Sequence, residues 1–152
     1  MRMRVGLLWL ILCVAASPAL GQNISPQQRQ AILDYHLTLP GAENLITAMQ
    51  AMTKYLTSLP DYQERLRKSA TMTAADRIAQ IEKDPKAAAI LKQNSLTARD
   101  YLIGVPALRM ALMRAQGATA PNIVASPANV AFAKANLAQL KPKMDAADGI
   151  RR

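Results

Sequence analysis

The chain has 152 residues, a net charge of +9 and a 51% apolar composition. With a single cysteine, Cys13, it cannot form an intrachain disulfide or a cysteine zinc cluster. It carries no Gly-rich phosphate loop and no nucleophile elbow, and its 4% aromatic content leaves little for base stacking, so neither an established catalytic motif nor nucleic-acid binding is expected.

The N-terminus reads as an address. Arg2 and Arg4 precede the apolar or small run Val5 to Ala16, and Ala19 and Gly21 stand as the small residues before a cut at Gln22. That order of charged, apolar and small residues is the pattern of a secretory signal. The run is too short to span a bilayer, which takes about twenty apolar residues, and no later segment is apolar and long enough to stop transfer. Leu12 before Cys13 departs from the small residue of a lipoprotein site. Residues 1–21 are therefore expected to leave as a cleaved signal peptide, and residues 22–152 to fold as one periplasmic or secreted domain. Loss of Arg2 and Arg4 with the leader lowers the net charge from +9 to +7. For an exported protein this predicts an anionic envelope component or an acidic protein as partner.

The remainder, rich in alanine and without strand-like alternation, predicts an all-α fold. Helices are expected over 26–38, 42–58, 61–69, 74–83, 85–93, 98–116 and 127–141. Ser25-Pro26, Asp84-Pro85 and Ser126-Pro127 each read as an N-cap with proline in the first turn. Thr73 with Asp76 and Thr97 with Asp100 read as capping boxes in which Asp replaces Glu or Gln. Leu45, Met49, Met52, Leu56 and Leu59 share one face of the second helix, opposite Thr47, Gln50, Lys54 and Thr57. The helix over 98–116 is apolar nearly all round, which predicts a central, largely buried helix in a compact bundle of short and medium helices. Gly104 and Pro106 are expected to bend or break it. Val130, Ala133, Leu137, Leu140 and Met144 form a last stripe, expected to bend or end near Pro142. Residues 117–125, "GATAPNIVA", read as a loop.

The segments "DPKAAAILKQNSLTARDYLIG" and "SPANVAFAKANLAQLK" resemble a group of small exported helical proteins of proteobacteria. The shared features are an Asp-Pro short helix, a Leu-Thr-x-x-Glu/Asp-Tyr helix start and a late Asn-x-Ala-Phe helix, over roughly residues 84–140. The resemblance implies location and fold and names no activity. "LTARD" also resembles the Leu-Thr-x-x-Gln repeat of periplasmic helical chaperones, with Asp100 in place of Gln and no second copy.

Candidate chemistry is sparse. The single histidine, His36, follows Ile32 and Leu33 at the edge of an apolar stripe, which fits a boundary residue. Asp76, Asp84 and Asp100 are accounted for as helix-start residues, and Asp145 and Asp148 are placed to pair with Lys141 and Lys143 at the surface. No enzyme and no obligate cofactor is expected. The primary reading is a non-catalytic envelope binding or chaperone-like module, with Arg65, Arg67 and Lys68 as its candidate contact for an anionic surface. Those cations also suit a solvated helix C-terminus. The alternative is a periplasmic copper or haem carrier. Met49, Met52, Met110 and Met113 would offer soft thioethers to Cu(I), and His36 with a methionine would ligate haem. Methionine is also a common filler of core gaps. Intact-mass measurement of the protein recovered from the envelope is expected to give a chain beginning at Gln22; a chain retaining Met1 to Gly21 would refute the cleaved-signal reading.

Overall fold

The computed structural model describes residues 24–149; the leader segment, including Cys13, lies outside the described residues. Within them the chain forms eight helices and no strand: α1 (Pro26–Asp34), α2 (Leu39–Thr57), α3 (Tyr62–Thr71), α4 (Ala74–Lys83), α5 (Pro85–Gln93), α6 (Ala98–Ala115), α7 (Pro127–Ala135) and α8 (Leu137–Gly149). The all-α bundle expected from composition is the observed architecture.

Helix starts follow the local chemistry. Ser25, Thr73, Asp84, Thr97 and Ser126 all cap with their side chains, and Ser25, Thr73 and Thr97 complete reciprocal capping boxes. α2 starts earlier than expected, at Leu39. Thr38 accepts the Gly41 N–H, and Pro40 occupies the first turn, where its missing N–H costs nothing. α1 stops at Asp34, so Tyr35 to Thr38 is an extended connection instead of a last helical turn.

Two helix ends are Schellman motifs. At the end of α6, Gly117 (φ 93) donates to the Arg114 carbonyl and Ala118 to that of Met113. At the end of α5, Ser95 adopts φ 56 while it donates to Lys92 and Leu96 donates to Leu91. Ser95 thus holds a left-handed position that normally favours glycine.

The expected helix over 127–141 is two helices. Asn136 closes α7 by directing both its backbone N–H and its side-chain amide to the Phe132 carbonyl. Its own carbonyl then accepts from Gln139 and Leu140 as α8 begins. Pro142 does not end the stripe: α8 continues past it to Gly149. α6 likewise runs unbroken through Pro106. Gly104 serves instead as a point of close approach. A Cβ there would lie 2.8 Å from the Tyr35 ring and hydroxyl and 2.9 Å from Leu45.

α6 is the hub, packed against α1, α2, α4, α5, α7 and α8. One core cluster joins Leu45, Met49, Leu108, Leu112, Leu140 and Met144. A second joins Ile32, Ala107, Met110, Ile123 and Val124 beneath the 117–125 loop. A third joins Ala48, Met52, Ala87, Leu91 and Ala98. The predicted polar face of α2 is confirmed, with Thr47, Lys54 and Thr57 exposed and Gln50 half-buried. Its buried face widens to include Ile46 and Ala48, while Leu56 and Leu59 stay half-buried at the helix end.

Asn129, only 2% exposed, ties the start of the bundle to its end. Its Nδ2 donates to the Tyr35 carbonyl (2.6 Å) and its Oδ1 accepts the Leu37 N–H (3.1 Å). Arg114 organises the 117–125 loop, donating to the carbonyls of Ile123, Ala118 and Ala120. In chemical denaturation, Asn129→Ala is expected to lose about 2–4 kcal/mol, because it leaves two backbone groups without partners. Ser95→Gly is expected to gain about 0.5–1 kcal/mol by relieving the left-handed serine. Unchanged stability in the first variant would contradict the clamp.

Candidate functional site

The sequence-derived candidates are dispersed. His36 is exposed in the extended connection after α1. Met49 is fully buried in the central cluster and Met52 lies in the cluster beside α5. Met110 is 2% exposed and packs in the cluster under the loop, whereas Met113 is 39% exposed. The pair on α2 and the pair on α6 therefore do not form one four-sulfur set. The Met49 Sδ already accepts from Arg109 Nη2 at 3.4 Å.

Met110 and Met113 do come together at one place. With Met144 they line a cleft of about 370 Å³ between the C-terminal half of α6, α8 and the 117–125 loop. Met144, on the last apolar stripe, reaches these walls because α8 continues beyond Pro142. Arg109, Lys141, Asp145 and Asp148 stand on the same walls. Arg109 Nη2 reaches Asp148 Oδ1 at 2.8 Å, fixing the end of α8 to α6, and Lys141 pairs with Asp145. The buried Nε of Arg109 has no hydrogen-bond partner among the described residues. The expected surface pairing is thus half right: Lys141 takes Asp145, but Asp148 turns to Arg109 and Lys143 reaches Glu43 on α2. Hydrogen bonds from Lys143 and Gln139 hold the Glu43 carboxyl below its ordinary range.

A second hollow, about 480 Å³ and wide open, lies between α1 and the start of α6. Asp34, Tyr35, Arg99 and Asp100 line it. Burial, assisted by the Asp100 charge, pushes the Tyr35 phenol up. Asp100 is engaged in its capping box, accepting from the Thr97 N–H and hydroxyl, and Asp34 accepts from Gln30.

The cationic candidates sit on α3, which buries no residue. Arg65 bonds Asp61 through Nε at 2.9 Å and approaches Asp84 at 3.6 Å. Lys68 pairs with Glu64 at 2.7 Å, one turn away. Arg67 is exposed and donates to the Gln63 carbonyl at 3.4 Å. Leu66 between them is 51% exposed, the most exposed large apolar side chain among the described residues.

Asp84 joins this limb to the bundle. Beyond capping α5 through the Lys86 and Ala87 N–H groups, it accepts the Tyr55 hydroxyl at 3.0 and 2.9 Å. Burial raises the Asp84 carboxyl, but the Ala87 N–H, the Tyr55 hydroxyl, the Lys86 N–H and Arg65 together outweigh it and bring the group below its ordinary value. The same hydrogen bond raises the Tyr55 phenol, and the Lys86 ammonium lies 4.9 Å from the Tyr55 ring centre. Comparison with family models, with curated proteins and with solved structures gives no match to this chain.

A carboxyl lowered by folding contributes stability that is complete above its unfolded pKa of about 3.9 and is lost as pH falls through the folded value. Tyr55→Phe removes one of the interactions lowering Asp84. Its midpoint of acid unfolding is therefore expected at higher pH than that of the wild type, and the Asp84 carboxyl, followed by NMR titration, is expected to protonate at higher pH.

Proposed function

We propose that this chain is an exported, non-catalytic binding module that meets an anionic surface of the cell envelope through α3. The observation that carries the reading is α3 itself. It contributes no buried residue and turns Leu66, Arg67 and Lys68 outward. A helix that gives the core so little is available for an external contact. Its i, i+4 pairs, Asp61 with Arg65 and Glu64 with Lys68, help keep it helical in water. An apolar side chain flanked by cations suits the boundary between anionic head groups and acyl chains.

The non-catalytic part of the reading draws support from the tasks the carboxylates already have. Asp76, Asp84 and Asp100 cap helices, and Glu43, Asp61, Glu64, Asp145 and Asp148 hold ion pairs. The net charge of the whole chain, +9, and the signal-like order of its first residues fit an exported protein drawn to anionic polymers or lipids.

Flotation with vesicles of phosphatidylglycerol and phosphatidylethanolamine tests the reading. The protein is expected to float with these vesicles, to release at high salt because surface attraction is screened, and to ignore neutral vesicles. Arg67→Glu/Lys68→Glu is expected to weaken binding at least tenfold, since each cation near an anionic surface is worth about 1 kcal/mol. Lys92→Glu/Lys134→Glu, with the same change in net charge at exposed positions on α5 and α7, is expected to weaken it much less. Equal loss in both variants would show that net charge acts without α3.

A further inference from the structure

We infer that the cleft between α6, α8 and the 117–125 loop is a site for a soft monovalent cation, Cu(I), held by the thioethers of Met110, Met113 and Met144. The inference is independent of the membrane contact, since α3 takes no part in the cleft.

Of the six methionines among the described residues, three line this one cleft. They come from two helices far apart in sequence, so the grouping is a product of the fold and not of one helical stripe. Met110 and Met144 are nearly buried, at 2% and 6% exposed, and reach the cleft walls from two separate core clusters. Met113 is different. It is 39% exposed and is one of two large apolar side chains that the described residues leave so open. Its exposure leaves the thioether reachable from solvent. This one stands at the mouth of a cleft already walled by two others.

Thioether sulfur is a soft, neutral donor, which suits Cu(I) and discriminates against Mg²⁺, Ca²⁺ and Zn²⁺, which favour oxygen, nitrogen or thiolate ligands. Three neutral donors leave the single positive charge of the ion uncompensated. On the same walls Asp145 and Asp148 are balanced by Lys141 and Arg109, so the charged groups of the cleft present no net repulsion to a cation. Met49 is the sulfur that would otherwise compete. Arg109 holds it by a hydrogen bond while also holding Asp148, so the guanidinium both occupies Met49 and fixes α8 in the position that brings Met144 to the cleft. The proposed ligand set is therefore not the pair of Met-x-x-Met motifs seen in the sequence. It keeps Met110 and Met113, drops Met49 and Met52, and adds Met144.

The test uses the chain from Gln22 to Arg152 under reducing, anaerobic conditions. Cu(I) is titrated in competition with bicinchoninate, and Ag(I), a redox-inert substitute, is titrated while the methionine ε-methyl resonances are followed by NMR. One equivalent is expected to bind, moving the methyl signals of Met110, Met113 and Met144 and leaving those of Met49, Met52 and Met72 in place. Met113→Leu/Met144→Leu is expected to lower the affinity at least tenfold with the helical circular dichroism unchanged, because leucine preserves bulk and removes only sulfur. Met49→Leu/Met52→Leu is expected to bind like the wild type. Failure of the wild type to compete with the chelator, shifts spread over all six methyls, or undiminished binding by Met113→Leu/Met144→Leu would each overturn the proposal. Vesicle flotation of the same variants separates the two sites: loss of Cu(I) with flotation intact refers to the cleft alone.

Discussion

The buried amide of Asn129 is the contact on which the closure of this bundle depends. Tyr35 and Leu37 lie in the extended link between α1 and α2, where a carbonyl and an N–H have left the helical hydrogen-bond ladder. Asn129 satisfies both from α7, across more than ninety residues of chain. A single carboxamide is suited to this task because it offers donor and acceptor at once, in one plane. The geometry also explains why α1 ends where it does. A further helical turn would withdraw those two backbone groups from Asn129. The same link places the Tyr35 ring over Gly104, where no other residue leaves enough room. The glycine is thus needed for contact between α6 and the segments carrying Tyr35 and Leu45, not for flexibility in α6.

From that closure the rest of the packing follows around α6. Its length exposes it to six neighbouring helices, and its three apolar sectors feed three separate core clusters. Pro106 is half-buried inside it, and the packing of α6 against its neighbours offsets the missing hydrogen bond, although proline in an exposed helix interior costs about 3 kcal/mol. The charged side chains of α6 are placed with equal economy. Arg109 and Arg114, the two that interrupt its apolar surface after the first turn, both turn to hydrogen-bond work, one on α8 and one on the loop.

Most of the helix starts, which depend on neighbours in sequence, were legible without coordinates. Ser25, Thr73, Asp84, Thr97 and Ser126 announced their helices because a cap is a contract between residues two or three apart. The cap at Thr38 is hidden because the pattern carries the first helix to residue 38, although proline in the first turn of α2 breaks nothing. The apolar stripe hides the break at Asn136, which ends α7 by a local side-chain bond, and Pro142 lies inside α8 without ending it. The meetings of distant segments were not legible: Asn129 with the Tyr35 link, Arg109 with Asp148, Met144 on the walls of the cleft that Met110 and Met113 also line. Each is a meeting of residues whose separation carries no period. Asn129 opens the segment Asn129-Val130-Ala131-Phe132, and its part there is that of a clamp within the fold.

Charge shows the same difference between what composition states and what the fold leaves available. A net +9 suggests a broadly cationic surface, but several cations are committed. Arg109 and Arg114 are half-buried and bonded, Arg77 donates to the Met72 carbonyl, Arg65 is shared between Asp61 and Asp84, and Lys143 spans to Glu43. What a polyanion would meet is therefore patchier than the sum, and position matters more than total. The exposed pairs such as Lys68 with Glu64 are worth little in water, about 0–1 kcal/mol, so a dense anionic surface could recruit such a lysine at small cost. The Arg65 contact with Asp84 is less easily traded, because Asp84 is 16% exposed and also caps α5 and holds Tyr55. On α3, then, Arg67 and Lys68 are the cations free to change partners, while Arg65 holds the limb to the bundle so that such a contact has a fixed helix to act through.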